Sequence, residues 1–128
     1  MLVGFQHVSA VIQALIESLQ ALASPAHVQL ARFSDFVVKG DELALDFDDA
    51  FLLVRDCPQL VLTRRQRDAL AEVDATLSAM SGQRHNELWT EDAVRTSPRW
   101  EALRQQARAA LVALDAAVAD RGPTGQEE

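Results

Sequence analysis

The sequence predicts an all-α protein, a single-domain bundle of about four to five helices. Apolar residues recur at alternating spacings of three and four in its long segments, which is the period of an amphipathic helix. Strong helix formers fill the second half of the 128-residue chain, and β-branched residues become scarce there. This length fits one domain, which we place at residues 1–121. Residues 122–128 begin with a Gly-Pro pair, and we expect them to form a disordered tail.

Two helices are predicted at the start of the chain. The first runs from Val8 to about Ala23, and a serine-proline pair then marks a break. Ser24 is predicted to cap a short second helix that begins at Pro25 and fades near Ser34. The apolar seam of the first helix consists of Val8, Ile12, Leu15, Leu19 and Leu22.

The middle of the chain fits two interpretations. Leu43, Leu45 and Phe47 alternate with other residues at the strand period, which indicates a short β-hairpin near residues 36–47. A turn at Lys39-Gly40-Asp41 would then join its strands. Four apolar residues also fit helical spacing, namely Leu43, Phe47, Phe51 and Val54. We therefore favour a helix from about Asp41 to Val54, with Asp41 as its N-cap.

The second half is predicted to contain two long helices. Thr63 and Gln66 form a capping box for a helix that runs to Met80 and stops at Ser81-Gly82. A polar loop at residues 82–89 and a short helical turn from Thr90 lead to the last helix. That helix begins at Ser97-Pro98 and extends to about Asp120. Trp100, at the third position of this helix, is predicted to lie in the core. Trp89 is interpreted as either a core residue or a partner contact.

No catalytic, metal or cofactor motif is recognisable. Cys57 is the only cysteine, so no internal disulfide is possible. The three histidines do not have zinc-ligand spacing. A calcium-binding loop that began at Asp46 would need Gly at its sixth position and Glu at its twelfth, but these positions hold Phe51 and Cys57. We therefore expect no cofactor, no bound metal and no enzymatic activity.

Net charge and hydropathy restrict the partners and the compartment. The formal charge of −7 disfavours nucleic acid, because phosphate binding needs a basic surface. It also disfavours an anionic membrane surface. No apolar run approaches the roughly 20 residues that span a bilayer, and the first residues do not resemble a signal peptide. We therefore expect a cytoplasmic protein.

The segment of residues 35–56 carries most of the negative charge. It has seven acidic residues against Lys39 and Arg55, a net charge of −5. These acids could pair internally with the arginines at residues 64, 65 and 67, or simply keep the protein soluble. A third interpretation is a partner-binding face. The residues predicted to form that face are Asp41, Glu42, Asp46, Asp48 and Asp49.

Two functions are compatible with these features. The first is a non-catalytic protein-interaction module, such as a bacterial immunity or inhibitor protein, that docks an acidic face on a basic protein partner. The alternative is a small-ligand-binding or regulatory bundle with a pocket between its helices. A homodimer is compatible with either.

Overall fold

The computed structural model describes residues 2–116, with side chains from His7 onward, and all regular secondary structure in that range is helical. The prediction of an all-α fold is confirmed. The helices outnumber the four to five predicted, because the segments that connect the long helices are themselves helical. The elements are α1 (Leu2–Ala23), α2 (Ala26–Ala31), α3 (Lys39–Arg55), α4 (Arg64–Met80), a 3₁₀ helix (Gln83–Trp89), α5 (Glu91–Thr96) and α6 (Pro98–Ala113). The predicted domain boundary at residue 121 and the predicted tail at residues 122–128 lie outside the described range.

The four long helices form a bundle in which α1 packs against α3 and α6, and α6 also packs against α4. Gln66, in the first turn of α4, donates a hydrogen bond of 3.1 Å to the carbonyl of Ala113 at the end of α6. These two helices are therefore antiparallel. The start of α3 meets the start of α6, because Gly40 lies against Trp100.

The predicted apolar seams face the core. In α1, Leu15, Leu19 and Leu22 are fully buried, while Val8 and Ile12 are half-buried. The helix starts six residues earlier than predicted, because nothing before Val8 breaks it. In α4 and α6 the buried apolar side chains are Leu70, Val73, Leu77, Met80, Trp100, Leu103, Ala107, Ala110, Leu111 and Ala113.

The β-hairpin considered for residues 36–47 is wrong. Helix α3 begins at Lys39 and is preceded by Val38, which caps it without a side-chain hydrogen bond. Asp41 therefore lies in the first turn rather than at the N-cap. Gly40 is needed for close packing and not for a turn. A Cβ atom at Gly40 would lie 3.0 Å from Cζ2 of Trp100 and 3.0 Å from Cε3 of Trp89.

The predicted cap of α2 is also wrong. The hydroxyl of Ser24 donates to the carbonyl of Gln20 at 2.7 Å, and α2 begins at Ala26 without a side-chain cap. The last carbonyls of a helix lack partners within the helix, so Ser24 satisfies one at the end of α1 instead. The capping box of α4 is confirmed, with Thr63 and Gln66 bonded reciprocally.

The segment predicted as a polar loop forms the 3₁₀ helix, and Gly82 precedes it with a φ of 103°. The short helix after Thr90 and the Ser97 cap of α6 are confirmed. Helix α6 ends at Ala113 rather than near Asp120. Asp115 adopts a φ of 57°, and the amide of Ala116 bonds back to Leu111 at 2.8 Å. That backbone arrangement closes a helix end.

Candidate functional site

Helix α3 carries all five acids predicted to form a partner-binding face. Its inner side is apolar, with Leu43, Phe47, Ala50 and Val54 buried in the core. The acids lie elsewhere on the helix because positions one or two residues away from a buried position point away from it. Glu42 is half-buried, and the other four acids are exposed, namely Asp41, Asp46, Asp48 and Asp49.

An exposed leucine lies among these acids. Leu45 is 53% exposed, and its neighbours on the helix surface are the residues three and four positions away. All four of those positions are acidic. Leu52, which is 44% exposed, follows seven residues later on the same side of the helix. We call this surface the α3 outer face: Asp41, Glu42, Leu45, Asp48, Asp49 and Leu52.

The five predicted acids do not form one flat patch. Asp46 lies outside the α3 outer face and, with Asp49, lines a groove toward α1 that also contains Glu17 and Arg32. At the opposite flank of α3, Asp41 borders a groove that faces the 3₁₀ helix. The acids therefore spread around the exposed half of α3, with Leu45 near their centre.

The acids of α3 lack basic partners within the described part of the chain. None of the five belongs to a salt bridge there. The arginines of α4 make other contacts. Arg64 lies 3.8 Å from Asp68, and Arg67 donates to the carbonyl of Leu62 at 2.6 Å. The interpretation of internal pairing between the acidic segment and these arginines is therefore not supported by the structure.

Lys39, the only lysine of the chain, also points away from the α3 outer face. Its ammonium group lies 3.0 Å from Asp35 and 3.4 Å from Glu91, and only 8% of the side chain is exposed. The hydrogen bond to Asp35 is the main reason that the pKa of Lys39 is raised. Burial acts in the opposite direction, and Glu91 adds to the rise. The nearest cation in sequence thus leaves the outer acids uncompensated.

An exposed apolar segment leads into α3. Phe36 is 98% exposed and Val38 is 51% exposed. Val38 precedes Leu45 by seven residues, so the apolar row of the α3 outer face continues toward this segment. Sequence reasoning missed this row, because it counted Leu45 only in the strand alternative and not in the helix that it favoured. The seven-residue spacing of Val38, Leu45 and Leu52 was the signal that could have revealed it.

Trp89, which was interpreted as either a core residue or a partner contact, makes contacts within the protein that stabilise the fold. It is half-buried, its indole donates to the carbonyl of Met80 at 2.9 Å, and its ring meets Trp100 edge-on with centroids 5.6 Å apart. Trp100 is fully buried as predicted and donates to the carbonyl of Leu88 at 2.7 Å. The two indoles close the end of the bundle where α4 stops.

A second candidate site is a cleft of about 520 Å³ between the end of α3, residues 56–63 and the start of α4. Among the described residues, its lining is apolar apart from two arginines and contains no carboxylate. Cys57 lines it and is 3% exposed. The lining residues are Phe51, Val54, Arg55, Cys57, Pro58, Leu60, Val61, Leu62, Arg67, Leu70 and Ala71.

Comparison with known proteins gave no match to a family model, a curated protein or a solved structure. Within residues 2–116, no helix combines the length and apolar character needed to cross a bilayer. The same part of the chain contains no group of three or more His, Cys, Asp or Glu residues arranged to hold a metal ion.

Proposed function

We propose that this protein is a non-catalytic protein-interaction module that docks the α3 outer face on the basic surface of a partner protein. The observation that carries the proposal is the environment of Leu45. This leucine is 53% exposed, and acidic residues occupy all four neighbouring positions on the helix surface. None of these acids pairs with a described cation.

Leucines and acids at one surface have complementary roles in binding. Fully burying an exposed leucine contributes about 1.5–3 kcal/mol, so the half-exposed Leu45 and Leu52 would each contribute a fraction of that. This apolar contact mainly slows dissociation. Unpaired carboxylates attract a basic partner over a distance and raise the association rate by about 10- to 1,000-fold at low salt.

The charge pattern also indicates what kind of partner fits. Two copies of the α3 outer face would place acids against acids, which opposes a symmetric dimer through this surface. A complementary partner presents an apolar site surrounded by Lys or Arg. Proteins that act on nucleic acid present a basic surface at their binding site. An inhibitor or bacterial immunity protein that covers such a site is the class that suits this face.

Site-specific photo-crosslinking tests the proposal. Leu45 would be replaced with a benzophenone amino acid. The variant would be expressed from its native chromosomal locus, and the cells would then be irradiated. Val112 on α6, which is 48% exposed, is the matched control position. The proposal predicts a discrete protein adduct from position 45 and none of the same mass from position 112.

A second variant separates specific docking from incidental contact. Asp41→Asn, Asp48→Asn and Asp49→Asn together (the triple acidic variant) should abolish the adduct from position 45. A charge-matched control removes three exposed acids elsewhere, Glu72→Gln, Glu87→Gln and Asp92→Asn, and should retain it. No adduct at position 45, or identical adducts at both positions, would refute the proposed function.

A further inference from the structure

We propose that the cleft beside Cys57 binds a small amphipathic carboxylate, with its apolar chain inside the cleft and its carboxylate at Arg55 and Arg67. This site is separate from the α3 outer face, since neither Leu45 nor Leu52 lines it. Its volume of about 520 Å³ lies within the 300–1,000 Å³ that is usual for small-molecule pockets.

The interior of the cleft suits an alkyl chain. Phe51, Leu60 and Leu62 are half-buried, so each presents part of its apolar surface where no helix covers it. Cys57 adds a small, weakly polar surface, and its thiol already donates to the side chain of Gln59 at 3.5 Å. Transfer of apolar surface from water into such a site is favourable at about 25 cal/mol per Å².

The two arginines define the ligand's charge. The guanidinium of Arg55 lies 5.7 Å from the ring centre of Phe51, and that of Arg67 is held by the carbonyl of Leu62 at 2.6 Å. Lining residues thus orient both groups at the cleft. Neither pairs with a carboxylate of the described chain. Guanidinium groups form strong, geometrically specific hydrogen bonds with carboxylates.

The position of Arg67 gives a second reason to expect an anion. It lies in the first turn of α4, where the helix dipole disfavours positive charge. Arg64 and Arg65 precede it, so three cations gather at this helix start in a protein whose net charge is −7. A bound carboxylate would offset that local repulsion. A neutral ligand would not.

Isothermal titration calorimetry with octanoate and 1-octanol tests both parts of the proposal, because these probes share an alkyl chain and differ in charge. We expect saturable binding of octanoate, about 10-fold tighter than that of octanol. The reason is that a hydrogen bond to a charged group strengthens binding by about 10-fold or more. No saturable octanoate binding, or equal affinity for the two probes, would overturn the proposal.

Matched arginine variants locate the head group. Arg55→Gln and Arg67→Gln should each weaken octanoate binding by about 10-fold and leave octanol binding unchanged. Arg64→Gln is the control, because Arg64 belongs to the same cluster but does not line the cleft. Ala71→Trp, at an exposed position of the lining, should block both probes. Equal weakening by Arg64→Gln would contradict the assigned position.

The single cysteine supplies an independent readout. Because Cys57 is only 3% exposed, iodoacetamide reaches its thiol when the cleft lining opens. Octanoate binds the closed lining and should therefore slow this alkylation, and Ala71→Trp should abolish that protection. A variant with Leu45→Ala and Leu52→Ala should still bind octanoate, so failure of the docking proposal and failure of this one are distinguishable. Alkylation at an unchanged rate with saturating octanoate would overturn the site.

Discussion

Gln29 and Arg104, which are 75 residues apart in sequence, form a hydrogen bond of 2.8 Å inside the core. The amide of Gln29 also donates to the carbonyls of Ala21 and Leu22, the last turn of α1. Arg104 donates in addition to the carbonyl of Val94 in α5 at 3.1 Å. This buried network therefore joins four helices at the end of the bundle from which the α3 outer face begins.

Arg104→Met should destabilise the protein strongly. The substitution leaves Gln29 and the carbonyl of Val94 without their charged donor, and each buried polar group left unpaired costs about 1–3 kcal/mol. Arg99→Met, at an exposed position of the same helix, should change stability by less than about 0.5 kcal/mol. Urea denaturation measures both. Equal stability of the two variants would show that the network contributes nothing.

Gly40→Ala should destabilise α3 although alanine is the better helix former. Placing a Cβ atom 3.0 Å from both tryptophan rings overpacks the core, which costs about 1–3 kcal/mol. Without that contact the substitution would stabilise the helix by about 0.5–1 kcal/mol. Ala75→Gly, at an exposed position of α4, measures the propensity difference alone. A rise in stability for Gly40→Ala would contradict the close packing described.

Trp100→Ala should cost about 3–5 kcal/mol, because the ring is fully buried and its indole N–H bonds to Leu88. Trp89→Ala should cost less, since Trp89 is only half-buried. Denaturant titration of the two variants provides the comparison. A loss below about 1 kcal/mol for Trp100→Ala would mean that the ring does not belong to the core.

Stability should fall at alkaline pH through Lys39. Its pKa is raised above the ordinary value of 10.5 by Asp35 and Glu91, so the folded state favours the charged form. The stabilisation is therefore complete below pH 10.5 and is lost as the pH rises through the folded-state pKa. The chain has no other lysine and no tyrosine, which makes the titration unusually simple.

The control for this pH dependence is the Lys39→Met variant, which is measured in parallel with the protein that retains Lys39. Both proteins would carry Cys57→Ala, because thiols also titrate in the alkaline range. The free energy of unfolding should decline more steeply above pH 10.5 when Lys39 is present. Parallel declines would show that the contacts of Lys39 with Asp35 and Glu91 are not made in solution.

The sequence predicted the fold class and the long helices because their signals are local. Apolar periodicity and the Thr63–Gln66 capping box depend on neighbouring residues alone. The incorrect predictions concern residues whose role is determined by contacts with residues distant in the sequence or in another helix. Gly40 suggested a turn, but its role depends on two tryptophans about 50 and 60 residues later in the chain. Ser24 suggested an N-cap, but its hydroxyl serves the preceding helix.

The candidate site was predictable only in part. The run of acids is visible in the sequence, and their place on one exposed helix follows once α3 is known. The seven-residue spacing of Leu45 and Leu52 indicates that they share one side of a helix, but it does not predict that this side is exposed, because leucines also suit a buried position. The cleft beside Cys57 depends on how residues 56–63 cross between α3 and α4, which no local pattern specifies.

The most direct test of the proposed docking face is the association rate constant with the partner captured through position 45, measured by stopped flow over a range of NaCl concentrations. The triple acidic variant should associate about 10-fold more slowly at low salt and show a flatter salt dependence. Its thermal midpoint should stay nearly unchanged, since the three substituted acids are exposed and belong to no salt bridge of the described chain. Association as fast and as salt-dependent as that of the unsubstituted protein would contradict the account.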